Sequence, residues 1–185
     1  AKEVSSQLRK LGFQVVEAIN FNAAQLRKAV DHFSDRLRPG DIALFYYAGH
    51  GVAINGVNFV VPVDTQLVDQ SSIDKYLYPI IEIIDVLSDD QKHQALVFLD
   101  ACRDSPFAGS LKNARNIRVS RGLAKFSSVR PSADKGLARI ESGYANLFVA
   151  FATQPGNVAA DGLAGEKHSP FTGALLKHLS DKVEV

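Results

Sequence analysis

The chain has 185 residues, 46% of them hydrophobic and 22% charged, with a formal net charge of +1. That length suits one globular domain with a sizeable core, and the small net charge gives no global field that would draw nucleic acid or an anionic membrane. No apolar run is long enough to span a bilayer, the first residues do not resemble a secretory signal, and the single cysteine, Cys102, excludes an internal disulfide, which suits a reducing, cytoplasmic compartment.

Val4, Leu8 and Leu11 fall at helical spacing, and Gly12 ends that pattern. Phe13 to Ile19 reads as a short strand. Asn22 is placed to cap a second helix whose apolar face is Leu26, Val30, Phe33 and Leu37, stopped by Pro39-Gly40. Asp41 to Ala48 is a nearly continuous apolar run, as expected of a strand buried on both faces, closed by Gly49-His50-Gly51. Asn55-Gly56 predicts a hairpin turn between arms 52–54 and 57–61. Residues 62–78 look irregular. Pro79 to Leu87 predicts a helix, and Ala95 to Leu99 a second buried strand that ends in Asp100-Ala101-Cys102. Asn146 to Ala152 predicts a third, and residues 153–169 a Gly-rich loop. Ser169 is placed to cap a last helix, with Pro170 first and Phe171, Leu175, Leu176 and Leu179 facing inward.

Between the second and third buried strands, residues 103–143 show little periodicity. Inside a compact domain a loop of this length is functional or flexible. From Arg103 to Arg139 it carries nine Lys/Arg against two Asp/Glu, a local net of +7. Phe107 and Phe126 are its only aromatics, too few for base stacking along a nucleic acid. With no repeat and no linker, residues 1–185 read as a single domain. Strands alternating with helices predict an α/β sandwich on a mostly parallel sheet, and in such sheets active sites form beyond the carboxyl ends of the strands.

Two polar motifs occupy such ends: Gly49-His50-Gly51 and Asp100-Ala101-Cys102. A thiol attacks a carbonyl as the thiolate, so it needs a base nearby, and histidine takes and returns a proton near neutral pH. A tetrahedral intermediate also needs amide donors aimed at its oxygen. Gly51 has no side chain to block that approach, and the Cys102 N–H is a second candidate.

At these residues the sequence resembles the caspase and metacaspase superfamily, especially its bacterial caspase-like (orthocaspase-type) branch. Tyr46-Tyr47-Ala48-Gly49-His50-Gly51 resembles the family's strand-then-His-Gly motif, and Val97-Phe98-Leu99-Asp100-Ala101-Cys102-Arg103 its strand-then-Cys motif, about fifty residues apart as the family has them. The resemblance implies a three-layer α/β/α caspase-like sandwich. It implies a thiol protease using Cys102 as nucleophile and His50 as general base or acid, with the Gly51 N–H as an oxyanion donor. It also implies that the loop after the Cys strand can be cut during maturation.

Four departures refine the expectation. Animal caspases carry Gln two positions before the catalytic Cys, and this chain has Asp100. Their substrate loop holds an acidic P1 side chain with an Arg, and ungapped alignment through Thr153-Gln154-Pro155-Gly156 puts Asp161 there. Two acidic positions in the P1 pocket favour a cation and repel aspartate, so cleavage after Arg or Lys is expected, and the basic loop becomes a target for autocatalytic cleavage. Calcium-dependent metacaspases carry carboxylates shortly after the His, whereas Val52 to Val63 has none. No metal or other cofactor is therefore expected. Fourth, the family places a strand in the middle of the sheet before the first helix, and that strand is missing from this chain, while further structure follows the family's last helix.

The expected partners are protein or peptide substrates with Arg or Lys at P1, with regulatory or additional domains outside the chain, no nucleic acid and no membrane. The alternative is a catalytically inactive caspase-like binding or regulatory module. Retention of His50 and Cys102 argues against it, and the missing strand argues for it.

Overall fold

The computed structural model describes residues 1–54, 57–66, 70–88, 93–102, 145–152 and 167–180. The order of elements is α1 (Lys2–Lys10), α2 (Ala23–Ser34), β1 (Ile42–Ile54), β2 (Val57–Val60), α3 (Gln70–Tyr76), β3 (Tyr78–Pro79), α4 (Ile80–Leu87), β4 (Gln94–Cys102), β5 (Leu147–Phe151) and α5 (Pro170–Ser180). They build a five-stranded sheet in the order β3-β2-β1-β4-β5. The three long apolar runs, β1, β4 and β5, pair in parallel, and the short β2 and β3 pair antiparallel at one side. The sheet is therefore mixed, with its parallel part made of the strands read as buried.

Strand alternation separates two helical layers. On one face Ala43, Phe45 and Tyr47 of β1, with Ala95, Val97, Leu99 and Ala101 of β4, form one cluster with Val30 of α2 and Ile80, Ile83, Ile84 and Leu87 of α4. On the other, Thr172 of α5 reaches Tyr46 and Asp100, and α1 packs against α5. Asn22 caps α2 as expected. Gln25 closes the box, its side chain accepting from the Asn22 N–H at 3.0 Å while its own N–H donates to Asn22 Oδ1 at 2.8 Å. Ile84 is fully buried at the centre of the core. Ile84→Ala is expected to cost about 2–5 kcal/mol, read as a lowered urea midpoint with an unchanged slope.

Two elements differ from the sequence reading. Residues 62–78, read as irregular, contain α3 and the start of β3. Ile73 and Leu77, buried at i and i+4, seat this short turn of helix against Val52, Ile54 and Phe59 of the hairpin. Phe13 to Ile19, read as a strand, takes no regular structure. The reason is the lack of a neighbour. A cleft of about 810 Å³ separates this segment from β1, roofed by Val4 and Leu8 and floored by Val30 and Phe33. The part of β1 that lines it, residues 42–49, pairs with β4 on its other side and, among the described residues, with no strand across the cleft. Backbone groups of residues 13–19 thus have no ladder to join. Leu11, Ile42 and Val63, three of the four large hydrophobic residues that stay exposed among the described residues, all line the cleft. The Asn55-Gly56 turn and the 103–143 loop lie outside the described residues.

Candidate active site

The parallel ladder of β1 and β4 runs from Ile42↔Gln94 to His50↔Cys102 without interruption. The two candidate catalytic positions are therefore Cα partners on adjacent strands, which lie about 4.8 Å apart. They close the carboxyl end of the ladder, the edge at which parallel sheets build their sites. His50 is exposed and Gly51 is buried. Sequence reading ended the strand at Ala48, but β1 continues through Gly49-His50-Gly51 to Ile54. It does so by changing partner. Residues 42–50 pair with β4, and residues 51–54 pair with β2.

His50 sits at that change of partner, and its backbone is held there. The carbonyl of His50 accepts from the Val61 N–H at 3.0 Å and from the Tyr47 hydroxyl at 2.6 Å. The Tyr47 oxygen also lies 3.4 Å from the Val61 N–H. Burial pushes the Tyr47 phenol up to about 12, against a smaller opposing pull from its bond to the Val61 backbone, so the hydroxyl keeps its proton. Gly49 is required by the same knot, because a Cβ there would stand 2.7 Å from the Tyr47 oxygen.

Asp100 is buried, 8% exposed, two residues before Cys102. Its carboxylate accepts from the hydroxyls of Ser169 and Thr172. Thr172 Oγ1 lies 2.6 Å from the Tyr46 hydroxyl. With the Thr172 proton already given to Asp100, Tyr46 must be the donor of that pair. The chain of hydroxyls therefore runs from Tyr46 to Thr172 to Asp100, with Ser169 as the second donor. Burial raises the Tyr46 phenol above its ordinary value, the Thr172 bond opposes this, and the Asp100 charge adds to it. Ser169 also caps α5, its Oγ accepting from the Thr172 N–H at 3.0 Å. The start of α5 is thus tied to the end of β4 by one carboxylate. Among the described residues, Asp100 has two neutral donors and no cationic partner.

Asp161 lies outside the described residues, as does the basic loop. Tyr46, Tyr47 and Thr172 were not singled out in the sequence. Tyr46 and Tyr47 read there as bulk in an apolar strand, and Thr172 as one position of a helix 72 residues from Asp100. No group of three or more His, Cys, Asp or Glu that could hold a metal ion occurs among the described residues. None of the described helices is long and apolar enough to cross a membrane.

The chain matches the family profile of the caspase domain over residues 1–184. It is also similar to the human mucosa-associated lymphoid tissue lymphoma translocation protein 1, with 44% identity over 62 residues. These make up 34% of the chain and 8% of the human protein. The mouse homologue is 42% identical over 62 residues, with the same coverage. The match spans less than a tenth of the length of these curated relatives.

Proposed function

This chain belongs to the caspase domain family, and we propose that it acts as a cysteine endopeptidase that cuts after Arg or Lys. The observation that carries the reading is the register of His50 with Cys102 at the end of the parallel ladder. In this reading His50 takes the Cys102 proton and the thiolate attacks the scissile carbonyl carbon. The Gly51 and Cys102 N–H groups take the oxyanion. Collapse of the intermediate breaks the C–N bond, and His50 returns the proton to the leaving amine. Water, deprotonated by His50, then releases the acyl group from the sulfur. No metal or other cofactor enters the sequence of steps.

Asp100 supports the preference for a basic P1 side chain. It is a buried carboxylate two residues before the nucleophile position whose partners among the described residues are two hydroxyl donors and no cation, so a guanidinium or ammonium would supply a charge partner. Asp161 is proposed as its counterpart on the substrate loop, and the Arg103–Arg139 segment as a self-cleavage target. Full substrate choice and any attached domains belong to the whole protein.

The test is to incubate the purified chain with a peptide mixture varied at P1 and to identify the products by mass spectrometry. Cuts after Arg and Lys are expected to exceed those after norleucine by about tenfold or more, since a hydrogen bond to a charged group contributes about 1.5–3 kcal/mol. Fragments of the chain itself are expected to end within residues 103–139. Preferential cutting after Asp, or equal rates at norleucine, would overturn the specificity.

A further inference from the structure

We infer that the cleft beside β1 is a strand-acceptor site, whose occupant is an extended, uncharged segment of a separate polypeptide, apolar on both faces and about seven residues long. In a strand the N–H and C=O of one residue point to one edge, and those of the next residue to the other. Observed bonds fix both edges of β1. The Asp41 C=O takes the Gln94 N–H at 3.1 Å. With the uninterrupted β1–β4 register, this turns the odd-numbered residues from 43 to 49 toward β4. The His50 C=O takes the Val61 N–H at 3.0 Å, which turns the even-numbered residues to the opposite edge. From His50 to Ile54 that edge is covered by β2 and Val61. At Ile42, Leu44, Tyr46 and Ala48 it faces the cleft. The N–H and C=O groups of these residues have no backbone partner among the described residues.

A parallel strand with helical layers on both faces is ordinarily interior to its sheet. β1 has those layers, yet residues 44–47 are only half-buried and Ile42 is 49% exposed. An open edge of this kind is a template for another strand, and an extended peptide that adds to it gains main-chain hydrogen bonds and pockets for alternate side chains. The open run, residues 42–48, is about 20 Å long at about 3.3 Å per residue, which sets the length of the occupant. Side chains of a seated strand alternate between its two faces. One set meets Val4 and Leu8 and the other meets Val30 and Phe33, so both sets should be apolar. The charged side chains that line the cleft are engaged within the chain. Glu17 is held by Arg9 at 2.8 Å and Arg36 by Gln14 at 2.9 Å. Arg38 donates to the Asp35 and Leu37 carbonyls, and Asp41 accepts from the Arg38 N–H. What they leave for an occupant is the apolar lining, so buried charge on it would be costly. Binding at this edge does not depend on the peptidase reading.

The probe is a heptapeptide of alternating valine and isoleucine, capped at both ends and carrying a polyethylene glycol tail for solubility. Its control is the same peptide N-methylated at every residue, which stays apolar and loses its donors along both edges. Each is titrated into the chain, and amide hydrogen exchange is followed residue by residue by nuclear magnetic resonance. Saturable binding of the probe is expected, tighter than that of the N-methylated control by about tenfold or more, because several main-chain hydrogen bonds are lost together. On saturation the amides of Leu44, Tyr46 and Ala48 are expected to gain protection, by about tenfold or more beyond any gain at Phe45 and Tyr47, whose N–H groups already face β4. That alternation is the signature of a strand paired along the open edge. No saturable binding at about millimolar probe, or equal affinity for the N-methylated peptide, would overturn the strand-acceptor site, the second result reducing it to an apolar cavity. Protection gained equally at 44 to 48 would place the probe elsewhere and overturn it as well. If the alternating protection arises without probe as the chain is concentrated, the occupant is a second copy, and the separate partner is overturned.

Discussion

Cys102→Ala is expected to abolish peptide hydrolysis, lowering kcat on an Arg-containing fluorogenic peptide by on the order of 10⁴-fold or more. The removed sulfur is the proposed nucleophile, and what survives such a deletion in a nucleophilic hydrolase is the contribution of substrate binding and the oxyanion donors. His50→Ala is expected to cost nearly as much, because an un-ionised thiol attacks poorly and the leaving amine would depart without a proton. The diagnostic result is the double variant. If the two residues act as one unit, His50→Ala with Cys102→Ala is no slower than Cys102→Ala by itself. His50 is exposed, so its replacement removes no core packing, and circular dichroism matching the parent's is the control for each variant. A parent chain that hydrolyses the peptide no faster than Cys102→Ala would leave the inactive-module reading standing.

What the sequence made legible follows its periodicities. β1, β4 and β5 were readable as strands because each is written as an unbroken apolar run, but the expected burial on both faces does not hold throughout: residues 44–47 of β1 are half-buried, and Phe148 of β5 is 54% exposed. Their parallel pairing, with His50 opposite Cys102, follows from placing both polar motifs at the same ends of neighbouring runs. α2 and α5 were readable through Asn22 and Ser169, whose side chains do cap them. The segment from Phe13 to Ile19 differs from its reading because its composition is strand-like, whereas a strand needs a partner, and across the cleft it has none among the described residues. Composition reports a preference for extended backbone, and pairing depends on what stands 4.8 Å away. α3 was missed because seven residues with Ile73 as their buried apolar residue give too short a period to detect.

The site was legible at the level of motif and not at the level of support. His50, Gly51, Asp100 and Cys102 announce themselves by their position at strand ends. The hydroxyls that hold them do not, since Tyr47 reaches the His50 carbonyl only because β1 continues past the motif into the hairpin. Thr172 and Ser169 reach Asp100 only because α5 returns over the face that carries Tyr46. Contacts made across some seventy residues have no local signature, and a tyrosine in an apolar run reads as volume until its oxygen is given a partner.

Asp100 is where the two proposed uses of a carboxylate can be separated. One reading makes it the charge that recognises a basic P1 side chain. The other makes it a clamp that ties α5 to β4 through Ser169 and Thr172. Asp100→Asn keeps the shape and an acceptor oxygen while removing the charge. If the charge recognises substrate, the ratio of kcat/KM for Arg over norleucine at P1 is expected to fall by about 10–100-fold, the equivalent of about 1.5–3 kcal/mol. Thr172→Val is the complementary change. It removes one donor from Asp100 and the acceptor of the Tyr46 hydroxyl, leaves the carboxylate charged, and is expected to lower stability by about 1–3 kcal/mol for the buried groups left short of a partner. The two effects should therefore dissociate: P1 preference moves with Asp100→Asn, and the urea midpoint moves most with Thr172→Val. A P1 ratio unchanged in Asp100→Asn, alongside a loss of stability matching that of Thr172→Val, would reduce Asp100 to the clamp. The basic preference would then have to come from the substrate loop that carries Asp161.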